Sequence, residues 1–318
     1  MTSPGFLFCR DPLRPGRPDA VVAREAAAAR RAGAQVVTID HDALLAGDAE
    51  TAVSRVPRDS GPYWYRGWMI PSERYEDLER ALVARGCAPC TGAAAYRRAH
   101  ELPGWYDVFA DLTPRSVWRS AHTGGVPAGP APWSALARSL GAGPAIVKDF
   151  VKSRKHEWHE ACFVPELGDT ARLTAVVDQF LALQGEFLSG GVVLRAFEPF
   201  MPGGEARVWW VDGEPVLVTA HPDTPGHVPE PALGQVRAAV RELDCRWVTT
   251  DMALREDGVW RVVEVGDGQV SGLPADDDGG ILFAALSAVG TGQQPQAASW
   301  AGAVSGSAVR RSGPSEVS

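Results

Sequence analysis

Runs of apolar residues at the start of the chain are short and unbroken, and those further along alternate with polar positions. Gly5-Phe6-Leu7-Phe8-Cys9 is an uninterrupted apolar run, as expected of a strand covered on both faces in a parallel sheet. Pro18-Asp19 opens an Ala-, Arg- and Glu-rich stretch from Ala20 to Arg31 that predicts a helix, Gly33 stops it, and Ala34–Ile39 is the next strand. Tyr63–Ile70 predicts a third strand, followed by a helix capped by Ser72 that runs to about Ala84 with Gly86 just past its end. This β-α-β order implies an α/β unit at the N-terminus. No GxGxxG follows its first strand, so a dinucleotide fingerprint is absent.

Residues 91–143 carry Leu102-Pro103-Gly104-Trp105 and a Gly124–Pro130 stretch with the composition of a linker. We place a domain boundary here, with 1–115 as the first domain and 116–290 as the second. The second half predicts strands at Ala145–Val151, Gly191–Phe197, Ala206–Val211, Pro215–Ala220, Trp247–Leu254 and Val259–Val265. Helices are expected from Asp169 to about Gly185, over Pro231–Leu243 and over Ile281–Val289. Asp212-Gly213 between two strands is a strong hairpin signal, and Glu256-Asp257-Gly258 joins the last two. Hairpins mixed with helices imply α+β organisation in this half. Residues 291–318, rich in Ser, Gly, Gln and Ala, are expected to be a disordered tail.

Composition narrows the function. The chain has 318 residues, enough for two domains, and 45% hydrophobic residues, enough for ordinary cores. A net charge of −8 argues against a sequence-independent grip on nucleic acid. No apolar run reaches the roughly 18–20 residues of a membrane span, and the proline-rich, charged start lacks the pattern of an export signal. Five widely spaced cysteines are expected to be reduced cytoplasmic thiols. Cys87-Ala-Pro-Cys90 has CxxC spacing without a second Cys/His pair, which reads more simply as a loop than as zinc or redox chemistry. The histidines show no metalloprotease or triad pattern, and His156 and His159, flanking Trp158, read as fillers. Asp276-Asp277-Asp278 reads as a helix start.

The chemistry-bearing positions cluster in the second half. Lys148 sits within an apolar strand, and the turn after it brings Lys152, Arg154 and Lys155; together these are either a phosphate site or a solvated basic turn. Arg195 and Arg207 lie on two neighbouring strands flanked by Glu198 and Glu205, which also suits cross-strand ion pairing. Asp251 and Glu264 are thirteen apart across the Glu256–Gly258 turn, where the register permits them to be neighbours. An acid in an apolar strand needs a partner or a metal. Such oxygen ligands suit Mg²⁺ carried by phosphates, and each acid also suits pairing with Arg195 or Arg207.

Taken in order, Tyr65-Arg66-Gly67-Trp68, Val147–Lys155, Arg195-Ala196-Phe197-Glu198, Glu205-Ala206-Arg207-Val208 and Val263–Gln269 resemble the ATP-grasp superfamily. More narrowly, they resemble its clade named for one arginine and two lysines. The resemblance runs from about Tyr63 to Pro274, and the unit before it fits a pre-ATP-grasp domain. The fold it implies is an α/β pre-ATP-grasp domain followed by an α+β ATP-grasp domain, with ATP bound between two α+β subdomains. It implies that Lys148 contacts the α-phosphate and adenine side, and that Lys152, Ser153 and Lys155 lie over the phosphates. Ala196-Phe197-Glu198 would be the hinge that reads adenine and ribose. Arg207, with Arg195 and Glu205 beside it, would face the γ-phosphate or an acyl phosphate. Asp251 and Glu264 would hold Mg²⁺. The superfamily's Glu-x-Asn is Glu264-Val265-Gly266 here, which leaves Asp267 or Gln269 as substitute ligands. Arg119 would stand in for a first-domain lysine.

The function implied is that of an ADP-forming ligase that joins a carboxylate to an amine, acting on small-molecule or peptide substrates with ATP and Mg²⁺ as cofactors. A small-molecule kinase and a non-catalytic nucleotide-binding module are the alternatives. Arg66 either captures a substrate carboxylate or pairs with Glu73. An alcohol substrate would need a base, for which Asp149 and Asp267 are the candidates, whereas a carboxylate needs none.

Overall fold

Alternation along the first strand divides it between two cores. The computed structural model describes residues 3–121, 129–221, 228–275 and 277–289. In it β1 (Gly5–Cys9), β2 (Val36–Ile39) and β3 (Tyr63–Arg66) form a parallel sheet in the order β2-β1-β3. Leu7 and Cys9 point into one core with Tyr65, Tyr75 and Leu78. Phe6 and Phe8 point into the other, with Ala26, Trp64, Trp209, Trp247 and Phe283. The first sheet therefore packs one face against the helix Ser72–Ala84 and the other against elements from the far end of the chain. β3 stops at Arg66 rather than running to Ile70, and Ser72 does not cap the following helix. Pro71 occupies the cap position without a side-chain bond, and the Ser72 hydroxyl donates to Glu101.

Two four-stranded antiparallel sheets follow. β4 (Ser116–Ser120), β5 (Ala145–Lys148), β6 (Phe163–Val164) and β7 (Gly191–Ala196) are ordered β4-β7-β5-β6. The helices Pro130–Leu140 and Thr170–Gln184 share its core. β8 (Phe200–Val211), β9 (Glu214–Ala220), β10 (Trp247–Arg255) and β11 (Trp260–Asp267) are ordered β11-β10-β8-β9. The helix Gly234–Leu243 shares a core with this sheet and with Ala99, Leu102, Trp105 and Phe109.

The local signals explain most of this. Asp212 and Gly213 take φ of 48° and 77°, the left-handed pair that a tight β8–β9 hairpin needs. Asp169 accepts a hydrogen bond from Arg172 N–H and caps Thr170–Gln184 as expected. Asp277 and Asp278 accept from Gly279 and Gly280 N–H at the start of the helix Gly280–Ala288. β5 is shorter than its apolar run because Asp149 turns the chain, its Oδ1 accepting from the Val151 and Lys152 amides. β8 starts six residues earlier than expected, at an exposed end where Pro202-Gly203-Gly204 is tolerated. The helices Leu102–Trp105 and Pro130–Leu140 were obscured in the sequence by Pro and Gly, yet Pro in a first turn is compatible with helix; Ala93–His100 precedes them.

All five cysteines are free thiols. Among the described residues no helix is long and apolar enough to cross a membrane. The expected tail, residues 291–318, lies outside the described residues, as do Asp276 and residues 122–128 of the linker-like stretch.

Candidate active site

The linker 197–199 carries the chain from β7 of one antiparallel sheet to β8 of the other, and a cavity of about 420 Å³ opens beside it. Part of the cavity wall is apolar, formed by Ile146, Ala196, Phe197, Phe200 and Val263. A π-helical turn, Trp158–Cys162, adds Trp158, which stacks on Phe163 at 5.1 Å, with Phe197 edge-on to both rings. The Phe197 amide donates to Pro144 O at 2.9 Å, so Phe197 offers the cavity its ring rather than its N–H. The same wall carries charge, from Lys148, Lys155, Arg195, Glu205, Asp251 and Glu264. A second cavity of about 550 Å³ shares Ser153, Lys155, His221, Asp251 and Glu264 with it and adds Lys152 and Arg207.

Both buried cations at this junction have donors to spare. Lys148 is 4% exposed, and its Nζ donates to Val151 O at 3.3 Å. Burial lowers its pKa, and Glu264 offsets part of that shift. Arg195 donates from Nε to Ser116 Oγ at 3.0 Å and from Nη1 to Val263 O, and its buried Nη2 meets no partner. Burial pulls it down to about 10, against the pull of Glu264. A buried guanidinium nitrogen without an acceptor beside a cavity is a ready partner for an anionic oxygen.

Sheet register places the acids. Thr219, Arg207, Asp251 and Glu264 line up in one row across β9, β8, β10 and β11. Asp251 and Glu264 are thus direct cross-strand partners. Arg207 grips Asp251 with two bonds of 2.7 and 2.8 Å and donates to Gly272 O at 3.0 Å. Burial resists ionisation of Asp251, but Arg207 and His221 outweigh it and hold the carboxyl far below the usual range. Arg207 therefore does not face the cavity as a free cation, as the resemblance implied, because its fork is spent on Asp251.

His221, at the end of β9, went unnoticed in the sequence. Its Nε2 lies 3.4 Å from Asp251 and 3.8 Å from Glu205. Burial works against its charge, but Asp251 and Glu205 outweigh it and raise the pKa. Burial raises that of Glu205, partly opposed by His221.

Five expected roles are corrected. Asp267 lies on the face of β11 opposite Glu264 and is fully buried, so it is not a ligand beside it. Its Oδ1 accepts from the Gln269 amide and side chain at 2.9 and 3.0 Å, and burial pushes its pKa up to about 7. Gln269 is equally unavailable, because it accepts from Tyr65 N–H and bonds Tyr75. Arg66, 3% exposed, pairs with Glu25 through two bonds and donates to the carbonyls of Gly268, Gln269 and Ser271. It does not pair with Glu73, which pairs with Arg97. Arg119 is exposed on the edge strand β4 and lines none of these cavities. Glu198 lines the first cavity but is held by Arg255 and Arg261, so its carboxylate is not free for a ribose.

The residues present fit a divalent cation. Among the described residues the half-buried Glu264 carboxylate has no cation within ion-pair distance. Asp251, Glu205 and His221 bring ligand atoms within 4.8 Å of one another. Oxygen-rich sets of this kind suit hard cations.

Residues 139–288 match the model of an ATP-grasp domain family, the third family of the clade named for one arginine and two lysines. No curated protein matches the chain. Among solved structures it is similar to a RimK domain protein ATP-grasp from Sphaerobacter thermophilus DSM 20745, at 16% identity and a TM-score of 0.56 over 89% of this chain and 97% of that one. It is also similar to the ATP-grasp ligase PsnB complexed with minimal precursor, Mg and ADP, at 15% identity and a TM-score of 0.54 over 89% and 97%. D-cycloserine synthetase DcsG aligns at 16% identity and a TM-score of 0.56 over 88% and 97%. At such identities the likeness is one of fold. The chain therefore has the ATP-grasp fold, and its residues 139–288 are similar to ATP-grasp domains of the clade named for one arginine and two lysines.

Proposed function

We propose that this protein is an ADP-forming ligase that joins a carboxylate to an amine. The observation that carries this reading is the mixed lining of the cleft between the two antiparallel sheets. It combines apolar walls at the hinge, Lys148 and Arg195 with unfilled donors, and Glu264 opposite Asp251. These are the partners that the base, the triphosphate and the metal ion of Mg-ATP each need. The solved neighbours PsnB, complexed with Mg and ADP, and DcsG, a synthetase, support the same class.

In this reading adenine lies against Phe197, Ile146 and Trp158. Lys148 and Arg195 bind the phosphates, Lys155 and Ser153 bridge to the second cavity, and Arg207 is a positioning residue that fixes Asp251. Mg²⁺, held by Glu264 with Asp251 or Glu205, would neutralise phosphate charge. An oxygen of the acceptor carboxylate attacks the γ-phosphorus, the bond to the β–γ bridging oxygen breaks, and ADP leaves with that electron pair. The amine then attacks the carbonyl carbon of the acyl phosphate. Inorganic phosphate leaves with the C–O electron pair, and the nitrogen releases its proton to solvent. Positioning and charge stabilisation do most of the work in such a reaction.

A kinase would need a base for its alcohol. Asp149 does not supply one, because its two oxygens already accept from Val151, Lys152, Gln184 and Ser189. Asp267 is buried on the far face of β11. A carboxylate acceptor, already ionised, needs neither.

Hydroxylamine tests this reading, since it intercepts an acyl phosphate to give a hydroxamate. Incubation with Mg-ATP and a panel of amino acids, peptides and dicarboxylates is expected to give hydroxamate together with ADP for at least one acid. An alcohol recovered as a stable phosphate ester would make the protein a kinase instead.

A further inference from the structure

Beyond the phosphate end, the cleft continues into a third cavity of about 490 Å³, which shares Met69, His100, Val151 and Lys152 with the second. The third cavity has an apolar rim built from two separate parts of the chain. Met69 follows β3, and Leu183 and Phe187 lie at and just past the end of the helix Thr170–Gln184. Phe187 is 81% exposed, and Leu183 and Met69 are each 37% exposed. One exposed apolar side chain needs no explanation, but three around one cavity mark a binding surface. The floor between the cavities is Val151 and His100, which stacks on Tyr96 at 5.0 Å. Burial, with Lys152 and Lys148 nearby, lowers His100 to about 4, so the floor is uncharged at neutral pH.

Lys152 stands where the two cavities meet, exposed and, among the described residues, without an ion pair. Its turn is fixed by the buried Asp149. That carboxylate accepts from Lys152 N–H at 2.5 Å, Gln184 Nε2 at 2.7 Å and Ser189 N–H at 3.2 Å. The lysine and the apolar rim are therefore parts of one frame, preformed rather than assembled on binding.

We propose that the acceptor acid is carried by an extended peptide, with its reactive carboxylate in the second cavity, its backbone passing Lys152, and an adjacent apolar side chain against Met69, Leu183 and Phe187. This rests on the ligase reading and names its substrate class. A free amino acid would fill the second cavity and leave the third empty, although each is large enough for a ligand of its own. Only an occupant that continues past Lys152 uses both. The Lys152 ammonium meets a peptide carbonyl or carboxylate, and the rim takes apolar surface from water.

The test is calorimetric titration of the full chain with Mg-ADP present. The probes are acetylated, amidated pentapeptides with a central Glu or Asp flanked by Phe and Leu, the same peptides flanked by glycine, and free glutamate. The apolar-flanked peptides are expected to bind roughly tenfold tighter than either control. The double variant Leu183→Ser, Phe187→Ser is expected to reduce them to the glycine-flanked level, with the ADP affinity unchanged. Both side chains are solvent-facing, so the variant folds, which its melting curve checks. Equal binding of peptides and free glutamate, or an unaltered double variant, overturns the proposal. The two readings fail separately. Tight peptide binding without hydroxamate removes the ligase and keeps the groove, whereas hydroxamate from free amino acids alone keeps the ligase and removes the groove.

Discussion

Replacing Arg66 by alanine is expected to destabilise the fold by about 3–5 kcal/mol, the usual cost of breaking a buried ion pair from one side. Arg66 and Glu25 are 3% and 9% exposed, so the variant strands a carboxylate in the core. It also removes the donor that holds the carbonyls of Gly268, Gln269 and Ser271, and it empties the space between Trp209 and Trp247, whose rings lie 5.8 Å from the guanidinium carbon. Because Glu25 belongs to the helix Ala23–Arg31 and 268–271 to the loop after β11, the pair ties the N-terminal unit to that loop. Thermal unfolding is expected to fall by roughly 10 °C or more. The double variant Glu25→Gln, Arg66→Met is expected to recover part of this, since no charge is left unpaired. A wild-type melting temperature in Arg66→Ala combined with lost turnover would return Arg66 to substrate recognition.

How much of this was legible depended on how local each cause was. The Asp212-Gly213 turn, the Asp169 cap and the apolar run of β1 act within a few residues, and the sequence shows them directly. The order of Lys148, Arg195, Glu198, Arg207, Asp251 and Glu264 carries the resemblance that the matched ATP-grasp domain bears out. The site's partners were harder to see, because two β-bulges decide them. A bulge between Asp251 and Met252 shifts the β10–β11 register, so that Asp251 faces Glu264 rather than its neighbour. A second, between Trp209 and Trp210, shifts β8 against β9 and brings His221 to Glu205 and Asp251. Counting outward from the Asp212-Gly213 turn without that bulge misses His221 by one residue, which puts it on the wrong face. The fates of Arg66 and Gln269 were not legible, because the carbonyls of Gly268 and Ser271 that Arg66 holds, and the Tyr65 and Tyr75 that Gln269 bonds, lie 194 to 205 residues away in sequence.

Glu264→Gln is expected to spare the fold and to remove the Mg²⁺-dependent part of ATP affinity. The side chain is half-buried and, among the described residues, unpaired, so its neutral isostere breaks no ion pair. It is nevertheless the acid that sustains the charge of both Lys148 and Arg195, against their burial. Losing one charged oxygen ligand is expected to weaken Mg-ATP binding by roughly 10- to 150-fold. ATP without Mg²⁺ is expected to bind the variant at least as well as it binds the wild type, because a negative charge has left the phosphate end. Calorimetric titration with and without Mg²⁺ separates the two effects. Wild-type affinity under both conditions would leave Glu264 a counter-charge for Lys148 and Arg195 and nothing more.

The claim that this cleft phosphorylates a carboxylate is tested most directly by following the carboxylate's own oxygen. The acid that yields hydroxamate is labelled with oxygen-18 at both carboxylate oxygens and incubated with the enzyme, Mg-ATP and an amine, and the released phosphate is examined by phosphorus NMR. An acyl phosphate passes one carboxylate oxygen to the phosphate when the amine displaces it. The account therefore predicts one oxygen-18 in each phosphate, with ADP formed in equal amount. Unlabelled phosphate alongside labelled product, or label recovered in AMP, would contradict it.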